Sequence, residues 1–235
     1  MANLNKQNFV VGGFLKSSLI DYPEKISAIV FTQGCNFRCS FCHNPELLNF
    51  HSTDFDAEEI LKFLSTRKGK LDAVVITGGE PTLQKGLKEF IQEVKNMNFL
   101  VKLDTNGSDP DLLKNLIDEN LIDYVAMDIK APLEKYDFIT CVNVDKEKIQ
   151  QSIDILLKNK VDYEFRTTVV KELLAVEDFE KISDLIKGAR RYYLQKFVVS
   201  KILDKNLENA TTYSDEEFAP IVDMLKKKID FVGVR

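Results

Sequence analysis

Short runs of apolar and β-branched residues alternate with longer helical patterns between about residue 26 and residue 200. The runs occupy residues 26–31, 73–77, 100–104, 124–128, 163–167 and 193–199. The stretches between them carry one apolar face, for example Leu87, Phe90, Ile91 and Val94. This alternation predicts parallel strands joined by crossover helices, which is an α/β fold.

Six βα units are too few to close the eight-stranded barrel, so we predict a partial (βα)6 TIM-like barrel of parallel strands. The length of 235 residues suits one domain over residues 1–235, with a core at about 26–200 and a C-terminal extension at about 201–235. Asp56 and the pair Asp109-Pro110 predict helix starts. Ser214 and Glu217 resemble a capping box, but Pro220 would then lie inside the last helix, so its start stays open.

Three cysteines, Cys35, Cys39 and Cys42, lie in a C-x3-C-x2-C pattern after the first predicted strand. Three thiolates can hold three corners of a [4Fe-4S] cluster and leave one iron open to a substrate or cofactor. Zinc normally takes four ligands at paired spacings, and His43 follows Cys42 too closely to reach the same ion easily. A disulfide framework fits poorly, because the cysteines are so close together. Iron–sulfur is therefore favoured, and Cys141 is interpreted as a small buried or loop residue.

Unusual polar motifs follow the next three predicted strands. Gly78-Gly79-Glu80 follows the second strand, Asp104-Thr105 ends the third, and Asp128-Ile129-Lys130 ends the fourth. Chemistry in parallel α/β folds lies at the carboxyl ends of strands, so these motifs are predicted to converge on one rim. Each motif also has an ordinary explanation: a glycine turn, an aspartate that caps a helix, or a solvated lysine.

Charge and hydropathy exclude two classes of partner. The formal net charge is −5 with both signs mixed along the chain, which argues against nucleic-acid binding. Residues 1–8 lack the build of a signal peptide, and no apolar run approaches the roughly 18 residues of a membrane span. We therefore expect a cytoplasmic protein, in a compartment that keeps thiols reduced.

The cysteine triplet, with Phe41 before its last cysteine, and the Gly-Gly-Glu-Pro segment together resemble the radical S-adenosylmethionine (SAM) enzymes. Residues 18–23, 42–46, 103–107, 127–132 and 165–168 are similar to the activating proteins of anaerobic ribonucleoside-triphosphate reductase. The resemblance covers nearly the whole chain. It implies the radical SAM fold, a [4Fe-4S] cluster on the three cysteines, and SAM bound at the open iron.

The resemblance also implies roles for individual residues. The segment of Gly78, Gly79 and Glu80 would contact the methionyl amino group of SAM. The SAM carboxylate would lie near Asp104, Thr105 and Asp128, where a monovalent cation is a further candidate. Positive charge would come from Lys130 and Arg166, although Arg166 could instead pair with a surface carboxylate. Phe41 would either stack on the adenine of SAM or pack in the core.

The activity implied is reductive cleavage of SAM to a 5'-deoxyadenosyl radical, which generates a glycyl radical on the anaerobic reductase. Electrons would come from a low-potential donor such as flavodoxin or ferredoxin. Three alternatives stay open: activation of another glycyl-radical enzyme such as pyruvate formate-lyase, a radical reaction on a small molecule, and a non-catalytic iron–sulfur or zinc binding module.

Overall fold

The computed structural model describes residues 9–51 and 55–235. In these residues the chain forms eight strands and seven α-helices, and the strands follow one another in the sheet in chain order. The strands are β1 (Val11–Tyr22), β2 (Lys25–Thr32), β3 (Ala73–Gly78), β4 (Leu100–Thr105), β5 (Tyr124–Asp128), β6 (Asp162–Val169), β7 (Arg191–Lys196) and β8 (Phe231–Val234). The helices are α1 (Ala57–Ser65), α2 (Leu87–Asn96), α3 (Pro110–Asp118), α4 (Tyr136–Thr140), α5 (Lys146–Leu157), α6 (Val176–Leu185) and α7 (Asp215–Leu225).

The described chain divides into two compact units, of which the first comprises residues 9–36, 46–51, 55–105 and 111–125. It contains the antiparallel hairpin of β1 and β2, followed by the parallel strands β3 and β4. A core cluster formed by Tyr22, Ile29, Ala73, Val75 and Tyr124 packs along these strands. Because β2, β3 and β4 run parallel and in register, their carboxyl ends lie at the same edge of the sheet.

The second unit comprises residues 37–45, 106–110 and 126–235. It contains the parallel strands β6, β7 and β8 together with α5, α6 and α7. A buried chain of hydrogen bonds crosses it: the Tyr192 hydroxyl donates to Thr167 Oγ1 at 2.7 Å, and the Thr167 hydroxyl donates to the Ile129 carbonyl at 2.7 Å. These two hydrogen bonds hold Ile129, the residue after β5, against β6 and β7. They also give the buried hydroxyls of Tyr192 and Thr167 and the Ile129 carbonyl a partner.

The six predicted strands correspond to β2 through β7, although β7 ends at Lys196 rather than at residue 199. The prediction missed β1 and β8, which lie outside residues 26–200. β1 contains the pair Gly12-Gly13, and register shifts along its pairing with β2 break the alternation that identifies a strand. The prediction of one domain stays a prediction.

The start of the last helix is resolved by the structure. The Ser214 side chain accepts a hydrogen bond from the Glu217 backbone N–H at 3.3 Å, and the Glu217 carboxylate accepts one from the Ser214 N–H at 2.9 Å. This capping box begins α7, and Pro220 lies inside the helix. Because proline has no backbone N–H, the helix contains one backbone hydrogen bond fewer at Pro220.

Candidate active site

The cysteine loop follows β2 and is held mainly by backbone hydrogen bonds. In the first unit the Cys35 N–H donates to the Leu48 carbonyl at 3.1 Å. In the second unit the Cys42 N–H donates to the Cys39 carbonyl at 2.9 Å, which closes a tight turn, and the Arg38 N–H donates to the Thr140 carbonyl at 2.8 Å. None of the three thiols is in a disulfide. The loop therefore has fixed backbone geometry and carries three thiols that are not in disulfides.

Cys39 is buried, whereas Cys35 and Cys42 are partly exposed. Burial raises the pKa of the Cys39 thiol to about 11, and the nearby charge of Lys130 only partly offsets this. The thiolate is the form that binds metal, so ligation has to displace this proton. The irons of a bound cluster would supply further positive charge and so stabilise the Cys39 thiolate.

The segment that follows β7 contacts the same loop within the second unit. The Leu203 N–H donates to the Cys42 carbonyl at 3.1 Å, and the Asp204 N–H donates to the Ser40 carbonyl at 2.9 Å. His43 Nε2 lies 3.0 Å from the Val198 carbonyl, and its ring stacks on Phe197. His43 therefore contacts a segment that is distant in sequence, which no local pattern could have predicted.

Within the described residues, no group of three or more His, Cys, Asp or Glu side chains is already arranged as a metal site. Cys35 belongs to the first unit, while Cys39 and Cys42 belong to the second. The donor chemistry nevertheless fits an iron–sulfur cluster, because the three candidate ligands are thiols outside any disulfide, at a spacing that leaves one iron open. Cys141, in contrast, is exposed and ends α4 in a left-handed conformation.

The glycine pair at the end of β3 permits a close backbone approach. The Gly79 N–H donates to the Thr32 carbonyl at 2.9 Å, and the Glu80 N–H donates to the Gly34 carbonyl at 2.7 Å. A Cβ atom on Gly79 would lie 2.1 Å from the Gly34 oxygen, and one on Gly78 would lie 2.3 Å from the Thr32 nitrogen. The absence of side chains at both positions is thus what lets β3 turn against the start of the cysteine loop.

Glu80 is almost fully buried, with 1% of its surface exposed. Its Oε1 atom accepts hydrogen bonds from the Thr82 hydroxyl at 2.6 Å, the Thr105 hydroxyl at 2.8 Å and the Thr82 N–H at 3.1 Å. The structure therefore brings Glu80 and Thr105, two of the predicted site residues, into direct contact. Fixing one carboxylate oxygen in this way orients the whole group.

Asp104, another predicted site residue, forms an ion pair that the sequence interpretation missed. Its Oδ1 atom lies 2.8 Å from Lys102 Nζ, and 4% of the Lys102 side chain is exposed. A lysine within the apolar strand Leu100-Val-Lys-Leu103, two positions before an aspartate, was the available signal. Residues i and i+2 of a strand share one face, so the two side chains can meet.

Asp128, Lys130 and Arg166, three of the predicted site residues, form a cluster of ion pairs in the second unit. Asp128 Oδ2 lies 2.9 Å from Lys130 Nζ, and Oδ1 lies 2.8 Å from Arg166 Nε. Burial alone would raise the pKa of Asp128, but the charges and hydrogen bonds of Arg166 and Lys130 outweigh it and lower that pKa to about 2. Two fixed cations therefore surround one carboxylate that stays ionised at every physiological pH.

Phe41 is buried, with 5% of its surface exposed. This is what the core-packing alternative requires, and contact with a bound adenine stays a prediction. No helix in the described part of the chain is long and apolar enough to cross a membrane.

The fold and these motifs define a class of protein. Residues 29–186 match the model of the radical SAM superfamily. The SuiB protein of Streptococcus suis bound to its precursor peptide SuiA has the same fold, with a TM-score of 0.67 at 13% identity over 88% of this chain and 48% of that one. The chain belongs to the radical SAM superfamily, and the predicted fold class, the α/β partial barrel of these enzymes, is confirmed.

Two relatives in sequence indicate which family of radical SAM enzymes the chain resembles. A protein of Methanocaldococcus jannaschii, provisionally named a glycyl-radical enzyme activating enzyme, is 38% identical over 231 residues, which are 96% of this chain and 95% of the relative. The pyruvate formate-lyase-activating enzyme of Clostridium pasteurianum is 31% identical over 183 residues, 73% of this chain and 74% of that one. This protein is an enzyme of the glycyl-radical activating family, for which a [4Fe-4S] cluster and SAM are expected.

Proposed function

We propose that this enzyme cleaves SAM reductively at a [4Fe-4S] cluster held by Cys35, Cys39 and Cys42, and generates a glycyl radical on anaerobic (class III) ribonucleoside-triphosphate reductase. The observation that best supports SAM binding is the Asp128 cluster with its two cations, Lys130 and Arg166. Support for the reductase as partner comes from residues 18–23, 103–107 and 127–132, which resemble its activating proteins.

When bound, the cluster supplies the electron that breaks a sulfur–carbon bond of SAM, giving methionine and the 5'-deoxyadenosyl radical. The protein binds and orients SAM for that step. We propose that Glu80, held by Thr82 and Thr105, accepts a hydrogen bond from the methionyl amino group. The partly buried backbone of Gly78 and Gly79, which carries no side chains, would lie along the same part of SAM.

The methionyl carboxylate of SAM is proposed to lie near the cations of the second unit. Arg166 and Lys130 present two positive charges whose directions are fixed by Asp128. A preorganised pair of cations binds an anion without the cost of ordering long side chains. The radical would then take a hydrogen atom from a glycine of the partner, so water has to be kept from the site during the reaction.

The reaction needs a partner protein and an electron donor. The activating-enzyme relatives indicate a glycyl-radical enzyme as the partner. We propose flavodoxin or ferredoxin as the donor of the electron. The reaction is proposed to occur in the cytoplasm, where thiols remain reduced.

Electron paramagnetic resonance tests the proposal directly. Anaerobically reconstituted enzyme, a reductant and SAM are incubated with an anaerobic reductase and, separately, with pyruvate formate-lyase. We expect the doublet of a glycyl radical on the reductase and loss of both the doublet and SAM cleavage in the Cys39→Ala variant. A doublet on pyruvate formate-lyase alone would reassign the partner, and SAM cleavage that persists in Cys39→Ala would refute the proposed cluster site.

A further inference from the structure

The function proposed above assigns no role to Lys102, yet its ion pair with Asp104 is more buried than the other two Lys–Asp pairs found among the described residues of the first unit, Lys95–Asp123 and Lys114–Asp118. Its side chains are 4% and 13% exposed, against 25% and 26% for the pair of Lys95 and Asp123. Both residues lie on β4, and Asp104 is next to the last residue of that strand. The pair therefore lies near the carboxyl end of the strand, where the other predicted site residues of this unit are found.

The surroundings of the Lys102 stem are apolar. Val75 is the register neighbour of Lys102 on β3, and Leu100, two positions earlier on the same face of β4, packs on the core cluster that contains Val75. An ammonium group in such a place needs a counter-charge, because water cannot solvate it. Asp104 provides that charge at 2.8 Å.

Stability alone does not explain why the ion pair of Lys102 and Asp104 is buried. Replacing a buried ion pair by apolar residues of similar size is often neutral or stabilising, so burial of two charges in this place favours a functional explanation. The question is what the charge near the end of β4 does for the ligand.

We infer that Lys102 is a built-in cation that takes the place of a dissociable monovalent cation beside Asp104. The inference rests on the proposed function and on the position of Asp104 near the SAM carboxylate, which the resemblance to the radical SAM enzymes implies. An ammonium group already contacts the Asp104 oxygen that a potassium or sodium ion would otherwise contact. Because the group is covalently attached, its occupancy does not depend on the salt in solution. SAM binding by this enzyme is therefore independent of the identity of the monovalent cation.

Lys102 acts here as a positioning residue, since it contacts Asp104 and fixes the charge that Asp104 presents. The test is SAM binding by the reconstituted enzyme, measured by equilibrium dialysis in sodium, potassium or tetramethylammonium chloride at one ionic strength. Tetramethylammonium is too large to enter a cation site between carboxylates. For the natural enzyme we expect affinities that agree within about twofold in the three salts.

The Lys102→Met variant keeps the length of the stem and removes the charge. We expect its SAM affinity to fall about tenfold in tetramethylammonium and to recover in potassium or sodium, as a free ion enters beside Asp104. The matched control is Lys95→Met, which breaks the pair with Asp123 in the same unit and should leave SAM binding insensitive to the cation. Lys102→Arg should behave like the natural enzyme, because it restores the charge.

A second measurement uses the apoprotein, so that it does not depend on cluster loading. The melting temperature of Lys102→Met should rise with potassium or sodium but not with tetramethylammonium, and those of the natural protein and Lys95→Met should not depend on the cation. If Lys102→Met does not fold in any salt, the response of the natural enzyme to the three salts decides.

The inference is overturned if the natural enzyme loses SAM affinity in tetramethylammonium, or if Lys102→Met binds SAM normally in all three salts. If the natural enzyme binds no SAM in any salt, the proposed function fails first, and the inference fails with it. Cation dependence of the natural enzyme alone would overturn the inference and leave the proposed function intact.

Discussion

Two carboxylates at the carboxyl ends of parallel strands are held in different ways in the two units. In the first unit, Glu80 accepts hydrogen bonds from neutral donors, namely the backbone N–H and hydroxyl of Thr82 and the hydroxyl of Thr105. In the second unit, Asp128 lies between two cations, Lys130 and Arg166. One carboxylate is placed by backbone geometry and hydroxyl groups, and the other by charge.

The difference shows how one chain can prepare for the two ends of an amino-acid group. The donors that hold Glu80 Oε1 are neutral, so these hydrogen bonds orient the carboxylate without adding a positive charge, which suits the proposed contact with the methionyl ammonium group. Lys130 and Arg166 fix two positive charges around Asp128, which suits the proposed contact with the SAM carboxylate. The position of Glu80 therefore depends on close backbone packing in the first unit, whereas that of Asp128 depends on ion pairing in the second.

The largest effect is expected from a substitution that breaks the close backbone approach in the first unit. Gly79→Ala places a Cβ atom 2.1 Å from the Gly34 oxygen and 2.7 Å from the Gly34 carbonyl carbon, and neither backbone atom can move freely. We expect the free energy of unfolding of the apoprotein to fall by at least about 3 kcal/mol, measured by urea denaturation.

Gly69→Ala is the control for Gly79→Ala. Gly69 has a φ of +74° but no atom within 4 Å of an added Cβ, so only backbone strain is introduced, at about 1 kcal/mol. Equal losses in the two variants would show that the close approach at Gly79 is not the cause.

The second largest effect is expected from Asp128→Asn in the other unit. The substitution removes the negative charge that contacts both Lys130 and Arg166, whose side chains are 15% and 12% exposed. Removing one partner of a buried ion pair costs about 3 to 5 kcal/mol, and because the Asp128 side chain is 27% exposed we expect a loss of about 3 kcal/mol. Urea denaturation of the apoprotein measures it.

The control for Asp128→Asn is Glu119→Gln, which removes the partner of Lys88 in a surface ion pair. The two side chains are 37% and 47% exposed, so solvent screens their interaction and we expect a change below about 0.5 kcal/mol. If Asp128→Asn cost no more than this, charge would not be what holds the second carboxylate.

Most of the frame on which these carboxylates lie could be predicted from the sequence. Strands β2 to β7 follow from local alternation, and the motifs at Gly78, Asp104 and Asp128 fall at the strand ends where they were expected. These features depend on residues close together in the sequence, which periodicity can detect. β1 was missed because its glycines and register shifts weaken that local signal.

Contacts between distant segments could not be predicted. His43 and Val198 are 155 positions apart, and nothing around either residue indicates that they meet. The burial of Lys102 could not be predicted either, because a lysine in a strand ordinarily faces solvent and only the fold shows that it is buried. The roles of Cys35, Gly78 and the other predicted ligand-binding residues stay predictions.

A pH titration of the free energy of unfolding distinguishes the ion-paired Asp128 from the hydrogen-bonded Glu80. The expected change is smaller than those above. The pKa of Asp128 is about 2 in the folded protein against an ordinary value of 3.8, so its ion pairs stabilise the fold fully above about pH 4. This contribution, about 2 kcal/mol, is lost as pH falls through the folded pKa, with roughly half of it gone at pH 3. The stability difference between the natural apoprotein and Asp128→Asn should shrink accordingly between pH 5 and pH 3. A constant difference would contradict this assignment.

The smallest effect on stability is expected from Glu80→Gln. The amide oxygen of glutamine can accept the same three hydrogen bonds from Thr82 and Thr105, and the variant no longer buries a charge. The hydrogen bonds become weaker because their acceptor is no longer charged, but burying a neutral group costs less than burying a charge. The free energy of unfolding should therefore change by no more than about 1 kcal/mol.

SAM affinity should nevertheless fall clearly in Glu80→Gln, because a neutral amide attracts the methionyl ammonium group less strongly. Urea denaturation and equilibrium dialysis on the same preparation measure the two quantities. If Glu80→Gln lost as much stability as Asp128→Asn while SAM binding was unchanged, Glu80 would be a structural residue, and the contrast between the two carboxylates would have to be abandoned.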